Sequence, residues 1–191
     1  VRLATTGTLD TTFDTDGRVT TTIGTAAHAY SLEIRSNGKS IAGGLSSTLG
    51  FATAQYNSDG SLDTSFDSDG IATNAIGANS SGFTGSLQSD DKYVLAGSTG
   101  SAGNEVDFAI TRYNTDGSLD TAFDSDGVAT TDEIAGNSNA HDLAVQPDGT
   151  AGVQEHHRLA RLEVTIADQV DQAIHRLARV DRVEQDALGA R

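Results

Sequence analysis

The residues best placed to do chemistry in this chain are aspartates. Three copies of a Leu-Asp-x-x-Phe-Asp-x-Asp-Gly motif, "LDTTFDTDG" from Leu9, "LDTSFDSDG" from Leu62 and "LDTAFDSDG" from Leu119, each set two aspartates two residues apart ahead of a glycine. Carboxylates so spaced could ligate calcium or act as an acid–base pair. A calcium loop of the EF-hand kind takes oxygen ligands at positions one, three and five and a bidentate carboxylate at position twelve. Counted back from Gly17, Gly70 and Gly127, the first position falls on Thr12, Ser65 and Ala122, and the twelfth from Ser65 is Ile76. That excludes an EF-hand. A weak calcium ion shared by two aspartates and backbone carbonyls stays open, but no residue is assigned as a metal ligand. Acid–base work has no support either, because nothing in the sequence marks Asp67 or Asp69 to be kept protonated.

Other candidates are thinner. His28 and His141 occupy matching places in two repeats, where the middle repeat has Gly82 or Phe83, and are read as packing or solvent-facing residues. His156 and His157 adjoin Glu155, but neighbouring residues on a helix diverge, so they make a poor metal pair. There is no Gly-x-Ser-x-Gly elbow, no Gly-x-x-x-x-Gly-Lys phosphate loop and no His-Glu-x-x-His pair. No catalytic, cofactor-binding or metal residue is assigned, no cofactor is expected, and the chain is read as a non-enzyme.

The acidic motif is better explained as a corner. Leu62 and Phe66 stand four apart, which in one helical turn puts both on one side, ready to plug a seam between neighbouring units. Burying two such side chains contributes roughly 1.5 to 3 kcal/mol each. On this reading Asp and Ser cap the turn, the carboxylates otherwise face water, and the closing glycine takes backbone angles other residues resist.

Corners must be positioned by something, and the motif recurs at intervals of 53 and 57 residues, a period that signals one supersecondary unit repeated in an array. "AHAYSLEIRSNGKSIAGGL", "SGFTGSLQSDDKYVLAGST" and "NAHDLAVQPDGTAGV" fill equivalent places. Each unit reads as four short strands, in the first case residues 17–23, 29–35, 39–45 and 51–56. Asn37-Gly38 and Asp148-Gly149 predict two-residue type I′ hairpins, which Asp90-Asp91 suits less well. Four antiparallel strands per unit of this length fit a propeller blade better than a solenoid coil. On this count the chain holds a last strand at residues 1–4, two whole units and half of a third ending near Gly149, too few to close a ring alone. Assembly of several chains or membership of a longer one follows, and an opening valine inside a repeat points to a fragment.

At "YNSDGSLDTSFDSDG" and "DFAITRYNTDGSLDTAFDSDG" the chain resembles the delta-60 repeat family, tandem modules of large bacterial proteins thought to form β-propellers. The likeness covers most of residues 1–149. That family is described as carrying glycine after the phenylalanine, where this chain has Asp14, Asp67 and Asp124. The resemblance implies a fold and an extracellular or cell-surface setting, and no reaction.

Composition agrees with a small-residue β array: 36% hydrophobic, 5% aromatic, 21 glycines, one proline and no Cys, Met or Trp. The net charge of -15 opposes phosphate backbones and anionic membranes, so nucleic acid is not an expected partner. Membrane insertion is not expected, and neither a leader nor an apolar run of eighteen residues is visible. Absence of cysteine excludes disulfides and thiolate chemistry.

Past Gly149 the text changes. No serine follows Ser138, lysine is absent and six arginines appear from Arg158 on. Leu159, Leu162, Ile166, Val170, Ile174 and Leu177 recur at helical spacing, so residues 151–191 are expected to form a helical tail behind the 1–150 array. A cap on the array, an oligomerising helix and a text read in the wrong frame all remain open for it. The expectation is therefore all-β: tandem four-stranded antiparallel blade-like repeats, a partial β-propeller, with a C-terminal helical tail. Its expected role is a structural or binding module of a bacterial surface or secreted protein, its ligand a protein or a carbohydrate. The rival is a carbohydrate-acting hydrolase or lyase on an assembled ring.

Overall fold

The computed structural model of the chain describes residues 1–100, 106–131, 140–146, 149–155 and 162–164. Two four-stranded antiparallel meanders dominate it. The first runs β1 (Ala27–Ile34), β2 (Ser40–Ser46), β3 (Gly50–Tyr56) and β4 (Ile71–Asn74), and the second β5 (Ala78–Leu87), β6 (Tyr93–Gly100), β7 (Val106–Tyr113) and β8 (Val128–Thr131). A third sheet holds β9 (Ala140–Val145), β10 (Ala151–Glu155) and β11 (Leu162–Val164) in the order β11-β10-β9. Strand and hairpin signals thus find their elements, with the unit's phase shifted. The stretch after each acidic motif is the outer strand of the sheet before it: β4 pairs with β3 and β8 with β7. Residues 17–23, expected as a first strand, carry no strand assignment and match β4 and β8 in position. Arg2 N–H donates to Gly17 O at 2.9 Å, as Gln55 does to Gly70 and Arg112 to Gly127. Residues 1–23 are thus the end of one more such unit.

The helical tail fails where it can be followed. Ala151–Glu155 and Leu162–Val164 are strands, with Val153 opposite Leu162. Helical spacing gives way here because β9 offers β10 an edge and β10 offers the next one to β11, and spans this short are compatible with either periodicity. The rest of the tail, with His156 and His157, lies outside the described residues.

The hairpins are also of another kind. Arg35 N–H bonds Lys39 O and Gly38 N–H bonds Arg35 O, and of the expected pair only Gly38 (φ 81°) is left-handed. That is a turn ending in one left-handed residue, the three-residue loop with a bulge, so Asn37 needs no positive φ. Asp91 fills the Gly38 position at φ 63°.

Sheets stack face to face, and each seam is a core. Between the first and second sheets lie Ile41, Phe51, Phe66, Ala72, Tyr93, Leu95, Ala109 and Tyr113. Val94, Phe108, Ile110 and Phe123 of the second sheet meet Ala140, Leu143 and Ala151 of the third. Equivalent positions recur, since Ile41, Phe51 and Phe66 match Val94, Phe108 and Phe123 in register. On the first sheet's other face a 260 Å³ cavity lined by Val19, Ile23, Ala42, Ala52, Ala54 and Tyr56 lies under residues 17–23. Leu32 and Ile34 on β1 stand 62% and 63% exposed, although Leu143 and Leu87 at the matching kinds of position pack into seams.

Candidate functional site

The acidic motif was the first candidate, and its three aspartates have three different fates. The one after leucine is a buried tie. Asp63 accepts from Lys39 Nζ (2.7 Å), Gln55 Nε2 (2.5 Å), Ser65 Oγ (2.7 Å) and Ser65 N–H (3.2 Å). Asp120 accepts from Arg112 Nε (2.6 Å), Lys92 Nζ (2.9 Å) and Ala122 N–H (3.1 Å). Both residues are 5% exposed, so these carboxylates do not face water as expected. Burial pushes Asp63 up, but the bonds from Lys39, Ser65 and Gln55 outweigh it and hold the carboxyl well below its usual range. Burial likewise opposes, and Lys92, the Ala122 amide and Arg112 depress, the pKa of Asp120. Asp10 repeats the device closer to solvent, with Arg2 Nε at 2.8 Å.

The aspartate before each glycine caps the outer strand: Asp69 accepts from Ile71 N–H and Asp126 from Val128 N–H, each at 2.8 Å, as Asp16 does from Arg18. The aspartate after phenylalanine is a joint. Asp67 (φ 46°) and Ser68 (φ 69°) are both left-handed, as are Asp14 with Thr15 and Asp124 with Ser125. This conformation turns the Asp67 N–H onto Asp116 O of the next unit at 2.7 Å, and Asp14 N–H onto Asp59 O at 2.7 Å. A Cβ on Gly117 would come within 2.6 Å of the Asp67 nitrogen, and one on Gly60 within 2.9 Å of that of Asp14. Glycine is required there because two backbones touch. Burial, then Asp69 and Asp116, raise the pKa of Asp67. Its ionised form is the penalised one, so Asp67→Asn is expected to raise stability at neutral pH, by up to about 0.5 kcal/mol for so exposed a site. The gain should vanish once acid protonates the wild-type carboxyl, which urea melts at two pH values would show.

The corner's pegs are the phenylalanines. Phe66 is 0%, Phe123 2% and Phe13 7% exposed. Leucine does less: Leu9 is 36% exposed, and Leu62 and Leu119 form isolated bridges to Tyr56 and Tyr113. The corner is two successive turns, Phe66 N–H to Asp63 O at 2.9 Å and Gly70 N–H to Phe66 O at 2.7 Å, so leucine and phenylalanine do not share one helical side. Arg2 and Arg112 cover the Phe13 and Phe123 rings at 4.7 and 4.9 Å; where Gln55 replaces that arginine, Arg35 lies over Phe66 at 5.9 Å.

Among the described residues no cluster of three or more His, Cys, Asp or Glu side chains is arranged to hold a metal ion. The motif aspartates are engaged in bonds internal to the array. A different set of side chains is brought together on the innermost strands, where β1 lies against β5 and β5 against β9. Register shifts between Ala29 and Ser31, between Gly82 and Thr84, and between Asp142 and Ala140 leave one extra residue in each strand. Those residues are Tyr30, Phe83 and His141. A bulge re-aims its side chain, and these three meet. Ring centroids are 6.0 Å apart for Tyr30 and Phe83 and 5.7 Å for Phe83 and His141, and His28 stacks on Tyr30 at 6.2 Å. None of the four belongs to either core cluster, and Tyr30 is 55% exposed.

His141 is therefore the counterpart of Tyr30 and Phe83, and the expected match with His28 is two residues out. Tyr30, Phe83 and His141 stand the same distance before their hairpins, at Arg35, Gln88 and Gln146, whereas the shared Ala-His pair aligns His28 instead. The signal that would have found the row is a glycine inside a strand. Gly44 faces Ala29 and Gly97 faces Gly82, and a Cβ there would stand 1.9 Å from His28 O or Ser81 O.

Residues 35–66 and 88–123 match the family model of a beta-propeller domain of unknown function, DUF5122. The repeat is of propeller type. Each matched stretch opens at a hairpin, Arg35 or Gln88, and closes on the seam phenylalanine, Phe66 or Phe123. No curated protein and no solved structure matches the chain. The four-stranded sheets are accordingly propeller-type blades, and their inner strands carry the ring row.

Proposed function

We propose that this chain is a non-enzymatic structural and binding module, of the delta-60 repeat kind, in a bacterial surface or secreted protein. The observation that carries the reading is the use of the buried motif carboxylates. Asp63 and Asp120 are each tied to a lysine of the hairpin and to a strand partner, so the most conspicuous acid of the repeat fastens corner to sheet. Its companions cap strands and join neighbouring blades. The chemistry of the motif is that of assembly, and the inner-strand rings are the surface offered to a ligand. Incubation of the chain with neutral polysaccharides is expected to release no reducing ends; release that disappears in Asp67→Asn would replace this reading with the hydrolase or lyase.

The structural half of the role concerns the first sheet. Leu32 and Ile34 stand open on β1. A further blade of the same design fits that face, since each seam is made by the same positions. Sedimentation velocity is expected to show concentration-dependent self-association of the chain that Ile34→Glu abolishes, and a monomer at every concentration would remove the assembly role. Surface labelling of intact bacteria tests the setting, with a wholly unlabelled protein as the contrary result.

A further inference from the structure

We infer that the row His28, Tyr30, Phe83 and His141 is a binding site for a neutral saccharide, an inference that rests on the binding-module reading above. Three consecutive units each place a bulge at the same point of the inner strand, and the three bulged residues come into one row. Irregular pairing weakens a ladder locally, and nothing is returned to the core, because no ring of the row joins a core cluster. The benefit is on the surface: a strip of ring carbon flanked by imidazole nitrogens and the Tyr30 hydroxyl.

The chemistry of the strip selects its ligand class. Anions are disfavoured, because β1, β5 and β9 contain no lysine or arginine while Glu33 and Asp142 lie on them, in a chain of net charge -15. A cation needs only a ring face, and would leave the hydrogen-bonding imidazole and phenol groups of the row unused. A neutral sugar matches what remains. Its apolar C–H faces lie on rings, and its hydroxyls exchange hydrogen bonds with imidazole and phenol, groups that both donate and accept. Asp142, whose Oδ1 accepts from Leu143 N–H at 2.9 Å, is held beside His141 as a further acceptor.

The chain reports on itself. It has four tyrosines and no tryptophan, and Tyr56, Tyr93 and Tyr113 are at most 9% exposed, so surface quenching of fluorescence reads Tyr30. Cellohexaose, maltohexaose and, separately, choline are titrated into the full chain while tyrosine fluorescence and the imidazole C–H resonances of His28 and His141 are followed. A saturable shift with at least one hexasaccharide is expected, weakened about tenfold in Tyr30→Ala, as loss of one aromatic contact implies. His141→Ala should weaken it as well, and melting curves of both variants should overlay that of the wild type. Shifts with choline and neither sugar would overturn the saccharide assignment and leave the binding module standing. No saturable shift with any probe would overturn both, and sugar binding indifferent to both substitutions would overturn the location.

Discussion

Phe66→Ala is expected to cost about 3–5 kcal/mol. The ring is fully buried and touches two sheets at once, packing among Ile41, Phe51 and Ala72 of its own blade and Tyr93, Leu95 and Tyr113 of the next. Removing it leaves a cavity in a seam whose other wall is a rigid ladder, so collapse is limited and the loss exceeds simple transfer. The ring also lies close to the backbone joint, Asp67 N–H to Asp116 O, since a Cβ on Gly117 would come 3.1 Å from its Cδ1. Urea denaturation followed by circular dichroism reads the loss as a fall in midpoint. Phe123→Ala should behave alike at the seam with the third sheet, and Leu62→Ala should cost clearly less because leucine is only half-buried. A change below about 1 kcal/mol in Phe66→Ala would remove the phenylalanine from the role of peg.

Asp120→Ala is expected to rival it, at about 3–5 kcal/mol, for an electrostatic reason. The carboxylate sits 2.6 Å from Arg112 Nε with side chains 7% and 5% exposed, and deletion leaves the guanidinium buried without its counter-charge. Arg112 also lies over the Phe123 ring, so the fault reaches the seam. The sign of the pH dependence follows from the depressed pKa. Asp120 binds its proton less readily folded than unfolded, so its stabilisation is complete above the unfolded value of about 3.9 and is lost as pH falls through the folded value. Asp63 adds the same trend. Wild-type stability should decline below about pH 4, and the decline should be shallower in Asp120→Asn, compared by thermal melts from pH 7 to pH 3. Equal slopes in the two proteins would show that the tie does not titrate with folding. Asp67 has the opposite sign, which separates the joint from the tie although both are aspartates of one motif.

What could be read from the letters was local or repeated. Alternating stretches and the Asn37-Gly38 turn marked β1 to β3, and their repeats marked β5 to β7, whereas the β-branched run 17–23 is not a strand. Glycine marked the hairpins, and its type was missed because one left-handed residue and two look alike in sequence. The motif phenylalanines were legible as seam residues, since an aromatic at a fixed place in a polar loop has few other uses. The ties were not legible: Asp63 and Lys39 are 24 residues apart, and their meeting depends on how a hairpin folds back over a corner.

By itself the sequence determined that this is an array of four-stranded units with phenylalanine corners, because recurrence and local patterning do not depend on distant contacts. Only the tertiary structure decided which strand closes which sheet, which of three aspartates is buried, and that Tyr30, Phe83 and His141 form one row. Strand pairing and bulges are choices between partners tens of residues apart, made by packing and register, and a single shifted residue turns a side chain from the core to the surface.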